Sequence, residues 1–181
     1  MSLGSPKYHS PDEADVKLGT HWHLKLDGSN KYDPGVIIGE LESNRWRYET
    51  QPKRLQFFEL IKKPDFVVID STENECLRIR RHSRLLPSFE MIEDGQVIGK
   101  ITLCSVLRNK YTFELRSGPT WTFRMPLFTV HFPGESSEGK QIWIIVGPSK
   151  KQWNVLIQPG ADSLQLLAFL AFVHREWWKF G

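Results

Sequence analysis

The chain has 181 residues, 40% of them hydrophobic and 12% aromatic, with a formal net charge of +3. That composition excludes a disordered chain. Two cysteines, Cys76 and Cys104, are too few for a disulfide scaffold of this size, and the mild basicity permits an anionic partner without demanding one.

Residues 1–19, MSLGSPKYHSPDEADVKLG, hold no apolar run. They read as a flexible N-terminal arm with no signal peptide, and the remainder, 20–181, as one domain of a cytoplasmic protein. Strand candidates then follow in order: HWHLKL, VIIGELE, RWRYET, RLQFFELI, DFVVID and CLRIRRH. FEMIE and QVIGKITLC are separated by Asp94-Gly95, a two-residue hairpin signal in which glycine accepts positive φ. KYTFELR alternates, with Tyr111, Phe113 and Leu115 on one face; TWTFRM does so with Trp121, Phe123 and Met125. FTVHF groups Phe128, Val130 and Phe132, and QWNVLI groups Trp153, Val155 and Ile157. Period-two alternation means a sheet with one buried face. GKQIWIIVG is apolar on both faces, so that strand is expected to be covered twice. RSGPT, FPGESSEG and VGPSKK read as loops. Of these thirteen candidates, one or two are expected to be false.

The last element is a helix. Pro159-Gly160 ends the preceding strand, and Asp162 with Gln165 resembles a capping box. The helix is expected over about 162–179, with Leu164, Leu167, Phe169, Leu170, Phe172 and Val173 as core residues. Apolar residues cover every side of it, so it is buried in protein or in lipid. Length chooses between the two. The apolar part spans roughly 15 Å, and a bilayer core needs roughly 20 residues. His174, Arg175 and Glu176 follow, and charged groups are expensive in hydrocarbon. No transmembrane segment is expected. A closed antiparallel sheet of about twelve strands has room for one helix, so a mainly β fold, a barrel around this hydrophobic helix, satisfies both patterns.

FVVIDSTENECLRIRRHSRLLPSFEMIEDGQVIGKI, KYTFEL, WTFRM and the ending WNVLIQPGADSLQLLAFLAFVHREWW together resemble the tubby C-terminal-like superfamily, close to its LURP-one-related and phospholipid scramblase-like branch. The resemblance covers about residues 54–181. It implies a twelve-stranded barrel around a C-terminal helix. Tubby proteins bind phosphoinositides, and none of their binding residues is carried over to a position here. The chain departs from the scramblase-like proteins: its arm has only Pro6 and Pro11, it has no cysteine cluster, and no acidic loop precedes Asp162. Scrambling and acyl anchoring are therefore not implied.

The chemistry is concentrated in RIRRHSR. Arg78, Arg80 and His82 share the strand face opposite Leu77 and Ile79, and Arg81 and Arg84 stand at the strand end. Lys150 and Lys151 add charge in one turn, Arg108 and Lys110 in another. Arginine forks onto phosphate, so this edge is a candidate site for anionic lipid headgroups or a phosphorylated ligand. The plain alternative is a solvated strand face that discourages aggregation. His21 and His23 could begin a metal site, but no ligand-spaced partner follows, and His131 has none either. No metal or cofactor is expected.

No nucleophile elbow or phosphate loop occurs, and Glu90, Glu93 and Asp94 form no acid–base spacing. Cys76 and Cys104 adjoin apolar residues and are expected to be buried, inert thiols. NRWRYE could stack bases, but the charge is too mild, and nucleic acid is not an expected partner. The expected function is therefore a non-catalytic binding or scaffold module. The alternatives are an enzyme of unknown reaction with a pocket at the barrel mouth, where Trp177, Trp178 and Phe180 would be a plug, and a protein-interaction domain.

Overall fold

The computed structural model describes residues 11, 19–27, 34–40, 43–50, 65–82, 88–105, 110–124, 131–147, 149, 151–161 and 163–180. The fold is mainly β with one C-terminal helix. Among the described residues, in chain order, the strands are β1 (Thr20–Leu26), β2 (Val36–Glu40), β3 (Ser43–Thr50), β4 (Phe66–Asp70), β5 (Glu75–Arg81) and β6 (Ser88–Glu93). They continue with β7 (Gln96–Ser105), β8 (Lys110–Leu115), β9 (Thr120–Arg124), β10 (His131–Ser136), β11 (Gln141–Val146) and β12 (Gln152–Ile157), and the helix α1 (Ser163–Phe180) follows.

Every pairing is antiparallel; all but one join consecutive strands, and β1 pairs with both β2 and β12, so the succession of pairings returns to its start. A closed sheet exposes no unpaired edge to other chains. The two ends differ. Short turns such as 71–74 and 94–95 join strands at one end, called here the hairpin end. At the other, the loop end, Leu26 pairs with Val36, Thr50 with Phe66, Ser105 with Lys110 and Val146 with Trp153. The longer connections depart from there.

Local chemistry explains the tight turns. Asp94 and Gly95 have φ of 50° and 77° and close the β6–β7 hairpin between Glu93 and Gln96. In the β4–β5 turn, Asp70 Oδ1 accepts from the Thr72 amide (2.8 Å), the Thr72 hydroxyl (2.7 Å) and the Asn74 amide (3.0 Å). Those three donors, the Thr72 hydroxyl foremost, hold the Asp70 carboxyl below its ordinary value.

The inward residues of alternate positions form one core. Leu24, Ile38, Val68, Leu77, Ile79, Ile101, Phe113 and Phe123 are fully buried. The helix lies among them. Leu166 through Val173 are each no more than 1% exposed, which includes the expected core residues Leu167, Phe169, Leu170, Phe172 and Val173; Leu164 is half-buried. Phe169 stacks on Phe113 at 5.2 Å and tilts against Phe123 at 4.7 Å, while Phe172 meets Phe89 at 4.6 Å and Phe66 at 6.4 Å. Burying one such ring stabilises by roughly 1.5–3 kcal/mol. The helix is apolar all round because partners surround it. Among the described residues, no helix is long and apolar enough to cross a membrane.

Several expectations are corrected. FPGESSEG was expected as a loop, but Phe132–Ser136 belongs to β10. A Cβ on Gly134 would overlap the Phe123 ring, so any larger residue here must displace that ring. Pro133 removes a ladder donor, and the described pairs with β9 are Gly134–Phe123, Glu135–Thr122 and Ser136–Trp121. Ile145 is 56% exposed, so β11 is not covered along its whole outer face, although the outward Trp143 is only 9% exposed. Cys104 is exposed and Cys76 half-exposed, so neither is the buried thiol expected from its neighbours; alternation turns each outward while Leu103 and Leu77 turn in. RLQFFELI, most of FTVHF and Asp162 lie outside the described residues, as does the arm apart from Pro11 and Gly19.

Candidate anion-binding surface

β5 presents its arginines as alternation requires: Leu77 and Ile79 point inward and are fully buried, while Arg78, Arg80 and His82 turn outward. Arg78 is not available to a ligand. It forms a bidentate fork on Glu75, with Nε to Oε1 at 2.8 Å and Nη2 to Oε2 at 2.6 Å, and its Nη1 donates to Asp65 Oδ2 at 3.1 Å. Those bonds, Glu75's first, raise its pKa further although partial burial opposes them. Two carboxylates neutralise this guanidinium, so Arg78 is removed from the expected anion site.

Arg80 is exposed and faces Glu90 across β6; Glu90 faces Lys100 on β7, and Lys100 faces Glu114 on β8. The four form a row of alternating sign across the outer wall. His82 Nδ1 lies 2.9 Å from Glu90 Oε1. Opposite charges set directly across strands each contribute roughly 0.2–1 kcal/mol, so this row is a stabilising ladder. It borders an open hollow of about 400 Å³, lined by His82, Glu90, Gly99, Lys100, Glu114 and Arg116 among others. The hollow lies on the wall and not at a barrel mouth, and its charges are of both signs.

Arg81 is half-buried at the loop end, opposite Phe89. Arg84 and Lys150 lie outside the described residues. Lys151 is exposed, but it precedes β12, five pairings from β5 around the ring. The structure therefore does not bring Lys151 to the arginine edge. Lys110 was expected in a turn and is instead the first residue of β8. The two histidines of HWHLKL flank the buried Trp22, with His21 exposed and His23 half-buried. Among the described residues, no group of three His, Cys, Asp or Glu side chains is placed to hold a metal. Burial first, and the charge of Asp70 second, push the Cys76 thiol above its ordinary value, so it resists forming the nucleophilic thiolate.

A feature missed in the sequence sits where α1 reaches the loop end. Arg175, only 1% exposed, donates from Nε to the Pro34 carbonyl at 3.2 Å and from Nη1 to Glu176 Oε1 at 3.4 Å, and its guanidinium carbon is 4.3 Å from the Phe66 ring centroid. Burial lowers its pKa, opposed by Glu176. The stacked neighbour His174 lies 4.2 Å from Trp153. Nearby, burial and secondarily Glu176 push the Tyr111 hydroxyl up to about 12. Arg175 fastens the helix to the chain just before β2. A charged residue at a helix C-terminus ordinarily signals solvent, which is why sequence gives no sign of this role.

No family model matches the chain, and no curated protein does. Among solved structures, the X-ray structure of an Arabidopsis thaliana protein aligns over 87% of this chain and 93% of its own, with a TM-score of 0.59 and 9% sequence identity. At that identity the likeness shows a shared fold.

Proposed function

We propose that this chain is a non-catalytic binding module of the tubby C-terminal-like superfamily, near its LURP-one-related and scramblase-like branch. In this reading it acts in the cytoplasm as a barrel closed around its own helix and contacts anionic phospholipid headgroups from outside. The observation that carries the reading is the filled interior: Leu166 through Val173 are at most 1% exposed, which leaves the helix's place unavailable to a small molecule. A ligand must then be met on the outer surface. There the half-buried Arg81 and exposed Lys151 at the loop end supply cations. Arginine and lysine near an anionic bilayer contribute about 1 kcal/mol each.

Flotation with phosphatidylserine-containing vesicles tests the reading. The protein should rise with them at low salt, stay behind with phosphatidylcholine alone, and be released as ionic strength increases. Equal recovery on both vesicle types, or none on either, overturns it.

A further inference from the structure

β8 and β9 are joined at the hairpin end and paired in register, which sets Lys110 directly opposite Arg124 at the loop end. Both point outward, because Tyr111 and Phe123 beside them are buried in the core. Lys110 is half-buried and Arg124 exposed. Among the described residues, no carboxylate lies within ion-pair distance of either. Inward along the same face come Thr112 and Thr122, also opposite each other, and beyond them Glu114 faces Thr120. The cation pair is therefore flanked by hydroxyls, and the exposed Glu135 of β10 stands opposite Thr122, one same-face position further from the loop end than Arg124. Like charges directly opposite one another destabilise a sheet. Elsewhere on this wall the charges alternate in sign, from Arg80 to Glu114; here the alternation fails.

Among the described residues the same imbalance extends to the two ends of the sheet. Described charges at the loop end include Lys25, Arg81, Lys110, Arg124 and Lys151 against Asp27 and Asp65; Asp65 is held by Arg78, and Glu176 by Arg175. At the hairpin end they include Glu40, Asp70, Glu73, Glu93, Asp94 and Glu138 against Arg116 and Lys140. The C-terminus of α1 opposes this polarity, but with only about half an elementary charge. The described charges are thus polarised along the barrel, with the positive pole at the end that carries Lys110 and Arg124.

We infer that Lys110 and Arg124 together bind a phosphate group, and that the barrel meets an anionic bilayer loop end first, with a headgroup phosphate bridging the two side chains. A phosphate between them cancels the repulsion that the register imposes and accepts from an ammonium and a planar guanidinium at once. This rests on the proposed function for its bilayer, and it places the principal contact at β8–β9 in preference to β5.

The test has two arms. In the first, Lys110→Ala and Arg124→Ala are each expected to lower partition onto phosphatidylserine-containing vesicles about fivefold, and about 25-fold together, while Lys100→Ala on the wall leaves it unchanged. Thermal unfolding of the two variants should be unchanged or slightly raised, since each removes a like-charge contact; that separates lost binding from lost folding. In the second, inorganic phosphate is titrated against the full chain while side-chain NMR signals of Lys110 and Arg124 are followed. Selective shifts of both, abolished by either substitution, identify the pair without a bilayer. If those shifts occur but vesicles do not bind, the pair stands and the bilayer is wrong. If the variants partition like the parent protein, or Arg80→Ala loses as much as they do, the assignment of the pair is overturned.

Discussion

A phenol buried beside a carboxylate holds its proton longer than one in water. Tyr111 is the case here: its ring packs among core residues at the loop end, and burial foremost, with Glu176 second, pushes it up to about 12. An unfolded tyrosine ionises near 10. The folded form therefore binds the proton more tightly, and the stability this represents is complete below about pH 10 and is lost as the pH rises towards 12. Stability should fall by about 2–3 kcal/mol across that window, and Tyr111→Phe should flatten the fall. Denaturant unfolding at stepped alkaline pH measures it. An unchanged slope in Tyr111→Phe would mean that other groups govern the alkaline limb. Arg175 shows the same logic from the other side: it stays buried because the Pro34 carbonyl, Glu176 and the Phe66 face replace its water.

At the scale of an element, β10 is the informative strand. Its sequence, HFPGES, carries two residues that ordinarily interrupt a strand, yet it pairs with both β9 and β11. Gly134 is tolerated because the Phe123 ring occupies the space a side chain would need, and that ring is itself held against Phe169 at 4.7 Å. Gly134→Ala should therefore cost about 1–3 kcal/mol, since the ring cannot withdraw without disturbing the helix. Equilibrium urea unfolding checks this; a variant as stable as the parent would show that the ring moves freely. Proline and glycine are read locally as turn residues, and here a ring on the preceding strand, backed by the helix, decides otherwise. The Asp94-Gly95 hairpin was legible, because both of its requirements lie within two residues of sequence.

For the molecule as a whole, sheet and helix depend on each other. The inner faces of the strands bury their side chains against α1, and α1 has no polar side on which to stand alone. A chain ending at Ala161 should lose cooperative thermal unfolding and bind a hydrophobic dye, because the emptied lumen exposes residues such as Leu77, Phe113 and Phe123. A sharp, two-state transition in that truncated protein would show that the sheet is stable without its core helix.

Alternation along the chain was enough to say which residues of β5, β8, β9 and β12 turn inward, where the tight hairpin falls, and that a short, all-round apolar helix must be enclosed. These follow from periodicity and length, which are properties of neighbouring residues. Which charges face one another became visible once the strands were paired. Arg78 stands in an arginine-rich run, but Glu75 and Asp65 neutralise it. Lys110 and Arg124 are unremarkable as letters, and strand register makes them a pair. Lys151 and the β5 arginines looked like one basic set and lie far apart around the ring. Electrostatic interaction depends on distance in space, and that distance is fixed only when the strands have found their partners.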